Sequence, residues 1–310
     1  MDMVDYVKHD VVQRNLKFVD LIPAVKRSLQ EYSSRESTQP LRAVVWMNKN
    51  RRLFVMPSYA KWENTLATKL LNINPDCAGR GLPVRNSYLM LFDANDGQLK
   101  CVMESEAISW MRTAAASVVA SQVLVTKIPK VLGLIGTGNS AFSHVLAFKE
   151  VYNFEKVKVW SRNPENVVRF CEKLKDFNVT PCRCAEEAVR NADIVVVATS
   201  SSTPVLMGKW LKPGCHVNAI GAIKSTWREL DDKCMNEGVI YVDSIEAAQK
   251  ESGDIILSKA EICAEIGQLL LKMKSPKTGR YTIFKSCGLA IEDAYAAKLV
   301  WEKISSEYNT

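Results

Sequence analysis

The run Gly136-Thr137-Gly138-Asn139-Ser140-Ala141 follows the apolar stretch Val131-Leu132-Gly133-Leu134-Ile135 and precedes residues with helical spacing. Strand, glycine turn and helix in that order present backbone amides and a helix N-terminus to the phosphates of a dinucleotide. Gly136 allows the tight turn, Gly138 lets the backbone approach a pyrophosphate, and Ala141 keeps helix and strand close. A turn in any α/β protein is the alternative for a lone match; the flanking elements and a second strand at the expected distance favour the dinucleotide. That second strand ends Val159-Trp160-Ser161-Arg162-Asn163, without the acid that pairs with ribose hydroxyls and repels a 2′-phosphate. Ser161 can donate to a phosphate oxygen and Arg162 can offer it a planar charged fork, which favours NADPH over NADH; a solvated arginine is the alternative. Later, Ala198-Thr199-Ser200-Ser201-Ser202-Thr203 ends another apolar strand with small hydroxyls that can line a cofactor groove or simply form a polar turn.

Three cations interrupt apolar patterns in the first half: Arg42 in Leu41-Arg42-Ala43-Val44, Lys69 in Thr68-Lys69-Leu70, and Arg112 in Met111-Arg112-Thr113-Ala114. Singly, each reads more readily as a solvated edge residue or a snorkelling helix side chain. Together they can form a carboxylate clamp with a lysine beside a reacting nitrogen or carbonyl.

These groups need a scaffold, and 310 residues with 47% hydrophobic and 24% charged content supply one large or two medium globular domains. Residues 10–32 carry apolar positions at helical spacing, with Pro23 at or near a helix start. Strand-like runs follow at 42–47, 53–56 and 68–72, then a hairpin of 87–92 and 99–103, which makes this half an antiparallel α+β unit. After an Ala-rich helix over 106–125, short buried runs at 131–135, 157–160, 194–198, 216–220 and 239–242 alternate with helical stretches, the pattern of a parallel sheet. A last helix over 289–306 is expected to return to the first half. The expected fold class is therefore α/β: a Rossmann-type dinucleotide-binding domain, 118–283, with a second α+β domain, 1–117 plus 284–310.

Other chemistries are disfavoured. The net charge of +7 is dispersed, and Lys49-Asn50-Arg51-Arg52 between two strands reads as a solvated hairpin turn rather than a nucleic-acid patch. No apolar run is long enough to cross a bilayer and no targeting signal is visible, so no membrane partner and a cytoplasmic location are expected. Nine scattered cysteines read as reduced thiols, and three histidines without metal-ligand spacing predict no metal site.

The chain resembles the ornithine cyclodeaminase/mu-crystallin family over nearly its whole length, its ketimine-reducing mu-crystallin branch above all. The resemblance rests on Gln39-Pro40-Leu41-Arg42, Val55-Met56-Pro57-Ser58-Tyr59, Ala67-Thr68-Lys69-Leu70, Met111-Arg112-Thr113-Ala114-Ala115, the Gly136 turn, Asn218-Ala219-Ile220-Gly221-Ala222, Trp227-Arg228-Glu229-Leu230-Asp231, Glu251-Ser252-Gly253-Asp254 and Phe284-Lys285-Ser286-Cys287-Gly288. It implies that Arg42 and Arg112 hold a substrate carboxylate with Lys69 beside it, Lys69 and Arg112 being the catalytic candidates. It also implies that Gly136, Gly138, Asn139, Ser140, Ser161, Arg162, Asn163, Thr199, Ser200, Ile220 and Ser286 contact NADPH, and that the second domain forms a homodimer. The implied substrate is a small cyclic imino acid, with an iodothyronine-like ligand as the alternative occupant, and ornithine cyclodeamination or amino acid dehydrogenation as alternative activities.

Two departures bear on the activity. Ile223 stands where cyclodeaminases and alanine dehydrogenases carry a catalytic aspartate; an isoleucine cannot move a proton, which disfavours adding water or ammonia but leaves reduction of a preformed imine possible. Val84-Arg85 stands where mu-crystallin-like sequences place Ser-His, so Arg85 either adds an anion contact or points to water.

Overall fold

In a computed structural model, residues 4–308 are described. The chain forms two compact units, Met1–Arg112 with Leu289–Thr310, and Thr113–Gly288.

The first unit is built on a six-stranded sheet: β1 (Asp5–Val7), β2 (Ala43–Trp46), β3 (Arg52–Ala60), β4 (Thr65–Ile73), β5 (Arg85–Asp93) and β6 (Leu99–Glu104), in the order β1-β6-β5-β4-β3-β2. From β2 to β6 the pairing is antiparallel, as the alternating pattern requires. Strand β1 was not expected, and it joins β6 in parallel. In β4 every second residue faces inward, so Thr65, Ala67, Lys69 and Ile73 are buried. Lys69 lies in register with Met56 of β3 and Leu89 of β5, in the middle of the sheet. Helices Phe18–Ser33 and Ala290–Tyr308 pack together, and the latter also packs on β3 and β4.

Two details refine the reading of this half. Pro23 sits inside helix Phe18–Ser33 rather than at its start. Its ring is solvent-exposed, on the side away from the buried Leu21, Val25 and Leu29. The basic run 49–52 forms the β2–β3 turn, where Asn48 Oδ1 accepts from the amides of Asn50 and Arg51 and the Arg51 guanidinium pairs with Asp76.

The second unit holds an all-parallel eight-stranded sheet: β7 (Val131–Ile135), β8 (Lys156–Trp160), β9 (Val179–Pro181), β10 (Ile194–Val197), β11 (His216–Ala219), β12 (Gly238–Val242), β13 (Ile262–Glu265) and β14 (Tyr281–Lys285). Its order is β13-β12-β14-β11-β10-β7-β8-β9. All four residues of β10 and of β11 are buried, and β10 reads as an unbroken apolar run, while β11 buries His216 and Asn218 between its apolar residues. Sequence patterning missed β9, β13 and β14. The first is three residues long, and β14 mixes Thr282 and Lys285 into a core position between β11 and β12.

The two compact units divide after Arg112 and after Gly288, a few residues from the expected 117 and 283. Phe284 and Lys285 complete β14 and pair with Asn218 and Ala219 of β11, so the chain leaves this sheet only at the turn of positive-φ Gly288.

Candidate active site

In the first unit Lys69, Arg112 and two acids converge. Lys69 Nζ donates to Asp293 Oδ1 at 2.9 Å and makes a short contact with Ser109 Oγ. Ser109 lies one turn before Arg112 on helix Glu106–Leu124, so both side chains share one helix face. Arg112 Nε donates to the same Asp293 Oδ1 at 3.1 Å, and its NH1 donates to Glu292 Oε2 at 2.7 Å. All four charged side chains are under 10% exposed. The motif residue Gln39 holds the acids in place: its Oε1 accepts from the amide of Ile291 at 2.7 Å, in the first turn of the helix that carries Glu292 and Asp293.

The electrostatics follow from this packing. Burial pushes Lys69 down from 10.5 to about 8, Arg112 and Arg42 push the same way, and Asp293 opposes them. Burial raises Asp293, but Arg112 and Lys69 outweigh it and hold the carboxyl below its ordinary value. Arg42, half-buried just before β2, thus belongs to the same field. Arg85 does not sit in that row. It opens β5 opposite Ile73, four residues from the Lys69–Leu89 pair, about 13 Å along the strand at 3.3 Å per residue. There it is exposed, and its charge acts on Arg52 and Glu106.

The second unit arranges the glycine turn as a phosphate cradle. Gly136 has φ +117°, and a Cβ there would lie 2.4 Å from the Ala198 carbonyl oxygen, so only glycine fits. Gly138 precedes helix Asn139–Lys149 and receives no side-chain cap, and a Cβ built on it would meet nothing within 4 Å. Its bare backbone and the following amides, with Asn139 exposed and Ser140 half-buried, therefore fit a pyrophosphate. Buried His144 fixes the helix's first turn by bonding the Ser140 carbonyl at 2.6 Å and Ser117 Oγ at 2.9 Å; burial lowers its pKa to about 4, keeping the ring neutral.

The remaining candidates fall into two kinds. Arg162 is exposed at the end of β8 and has no hydrogen bond or ion pair among the described residues, and Ser200 is exposed after β10. Others have structural duties: Asn163 Oδ1 caps helix Pro164–Lys173 through the Glu165 amide, and Ser161 Oγ donates to the Asn163 carbonyl. Ile220 donates its amide to Val197. Ser286 donates to buried Asp243, which also accepts from the amides of Cys287 and Gly288 and so shapes the turn leaving β14. Thr199 donates its amide and hydroxyl to Glu229 Oε1, at 2.7 and 2.5 Å.

Sequence reasoning missed Glu292, Asp293, Glu229, Asp254 and Asp243. Glu292 and Asp293 open a helix, where acids ordinarily serve the helix dipole, so only their match to two buried cations marks them.

The model of the ornithine cyclodeaminase/mu-crystallin family matches residues 2–308, and the chain belongs to that family. It is 40% identical over 306 residues to the ketimine reductase mu-crystallin of Rattus norvegicus, covering 97% of each chain. It is 31% identical to a Delta(1)-pyrroline-2-carboxylate reductase of Bacillus cereus, covering 92% of this chain and 91% of that one. Among solved structures, Delta(1)-pyrroline-2-carboxylate reductase of Thermococcus litoralis, in complex with NADH and L-proline, superposes with a TM-score of 0.93 at 34% identity over 98% of both chains. Among the described residues, no helix is long and apolar enough to cross a membrane, and all nine cysteines are free.

Proposed function

We propose that this protein reduces the C=N bond of a small cyclic ketimine carboxylate, Δ1-piperideine-2-carboxylate or Δ1-pyrroline-2-carboxylate, to L-pipecolate or L-proline, using NADPH. The observation that carries this reading is a cationic cluster in the first unit: buried Lys69 and Arg112 share Asp293, and the Arg42 charge acts on Lys69, so two guanidinium groups and an ammonium stand together where a carboxylate can be held. The names of the family members above support the substrate class.

In this reading Arg42 and Arg112 grip the carboxylate, where planar guanidinium forks give direction as well as charge. Lys69 lies beside the ring nitrogen. Its ammonium, with a pKa near 8, keeps the imine nitrogen protonated. A reduced nicotinamide supplies the hydride for the iminium carbon, whose π pair then settles on nitrogen as the amine. Ile223 adds no acid or base after β11, and none is needed once the nitrogen carries its proton. In the second unit the 136–141 turn holds the pyrophosphate. Arg162, with Ser161 beside it, takes the 2′-phosphate, hence NADPH rather than NADH. The setting is cytoplasmic, and the active form is a homodimer joined through edge strand β2, where Val44, Val45 and Trp46 are exposed with no strand beyond them among the described residues.

The test follows reduced-nicotinamide absorbance with each imine, with NADPH and NADH compared, and with ornithine plus NAD and pyruvate plus ammonia as controls. Rapid oxidation of NADPH with either imine and none with the controls is expected. Tight iodothyronine binding without imine turnover would replace this reading with that of a ligand-binding protein.

A further inference from the structure

The loops after β10 and β11 are tied down by three fully buried charges that the proposed chemistry does not use: Glu229, Asp254 and Lys285. Glu229 Oε1 takes both the amide and the hydroxyl of Thr199, in the loop after β10. Lys285, at the end of β14, makes a short bond to the Gly221 carbonyl, in the loop after β11. Asp254 links the two. Its Oδ1 accepts from the amides of Glu229 and Leu230 at 2.8 and 3.1 Å, and its Oδ2 lies 3.4 Å from Lys285 Nζ. The packing leaves no slack: a Cβ on Gly221 would lie 2.4 Å from Glu229 Oε2 and 2.3 Å from the Thr199 carbonyl oxygen.

This arrangement dictates how Thr199 presents itself. Its hydroxyl proton is committed to Glu229, and one lone pair accepts from the Ser201 amide at 3.1 Å. The hydroxyl can therefore act toward a ligand only as an acceptor, the role suited to a ribose hydroxyl or a carboxamide N–H. We propose that Glu229 is a positioning residue for the nicotinamide cofactor, holding Thr199 as an acceptor most firmly while its own carboxyl is ionised. The proposal rests on the reading of this chain as a nicotinamide-dependent reductase.

Charge and burial explain why ionisation is in play. The cluster sets two acids against one base, and Glu229 Oε2 and Asp254 Oδ2 have no hydrogen-bond partner among the described residues. Burial raises the Glu229 pKa to about 7, with Lys285 and the Thr199 bonds pulling down and Asp254 pushing up. The groups facing Glu229 are Lys285 from β14, Asp254 from helix Gly253–Ser258 and Thr199. On its own segment Arg228 is engaged with Asp232, and the Lys224 ammonium lies 4.0 Å from the centre of the Trp227 ring. When Glu229 takes a proton its two bonds to Thr199 lose their charge assistance, about half their strength. Cofactor affinity then falls as pH drops through neutrality.

The experiment measures dissociation constants of NADPH and NADH by nicotinamide fluorescence from about pH 8 to about pH 6. NADH is included because it has no phosphate monoester of its own to titrate. Wild type is expected to weaken severalfold toward pH 6 with both cofactors. Glu229→Gln, which keeps shape but not charge, is expected to bind about tenfold more weakly at pH 8, with no pH dependence and with kcat changed much less. Thr199→Val keeps the backbone amide and is expected to show a weaker constant and a shallower slope; it carries the test if the glutamine variant fails to fold. Variants that match wild type in both constant and slope overturn the proposal alone. Failure of wild type to bind either reduced nicotinamide overturns the reductase reading as well.

Discussion

Each unit of this protein buries an ionic cluster, and the two differ in which charge can titrate. In the first, Lys69 and Arg112 share Asp293, Glu292 pairs with Arg112, and the Arg42 charge acts on Lys69; in the second, Glu229 and Asp254 stand against Lys285. A buried charge is costly unless something neutralises it. Arginines cannot give up their protons, so the guanidinium groups of the first stay charged and suit an anion. The second can be completed by a proton, because a buried glutamate titrates near neutral pH. One cluster suits a ligand and the other suits a switch in geometry.

The largest expected effect comes from removing the Arg112 guanidinium from the first cluster. Arg112→Ala should lower kcat/KM for a ketimine at least about 100-fold, the loss of a bidentate charge-assisted contact together with substrate orientation. It also strips Glu292 and Asp293 of their guanidinium, so a loss of about 3 kcal/mol in stability should accompany it. NADPH binding, read separately by fluorescence, should survive. Arg112→Lys keeps the charge without the fork and should recover stability more than turnover. Turnover near wild type in either variant would mean that this guanidinium does not serve the substrate.

Arg162 sharpens the comparison by belonging to neither cluster: it is exposed and has no partner among the described residues. Arg162→Ala should weaken NADPH about 10- to 100-fold, the range of one hydrogen-bonded contact to a charged phosphate. NADH should change by no more than about twofold, and the difference should shrink in high salt. An equal loss for both cofactors would assign Arg162 to the shared part of the dinucleotide.

The two units also differ in how much the sequence disclosed. The glycine turn was legible because its parts are contiguous: Gly136 is required by backbone geometry, and two residues on Gly138 leaves the backbone open ahead of the helix. The cationic cluster was half legible. Lys69 and Arg112 stood out against apolar neighbours, but Asp293, which binds both, lies 224 residues from one and 181 from the other. Only the sheet and the final helix bring them together. Lys285 was hidden for a further reason: it closes a strand that patterning missed, and a lysine ordinarily marks a solvated position rather than a fully buried one. Ser161, Asn163 and Ser286 show the converse, motif residues whose bonds mainly shape the turns around the cofactor site.

The smallest expected effect tests the proton assigned to Lys69. Because folding lowers its pKa from 10.5 to about 8, the folded protein binds fewer protons than the unfolded chain across that interval, so this group makes stability rise with pH between those values. Turnover should do the opposite, falling as pH rises through about 8, because the ammonium is the active form. Asp293 is the one neighbour that resists the lowering. Asp293→Asn keeps an oxygen for Lys69 and Arg112 to bond but removes the charge, so the alkaline limb of the rate should move to lower pH by about one unit. The interval over which stability rises should extend downward with it. Urea unfolding and kcat/KM measured over the same pH series would show whether the two move together. A displaced stability profile with an unmoved rate would mean that Lys69 titrates as described but is not the group that keeps the imine protonated.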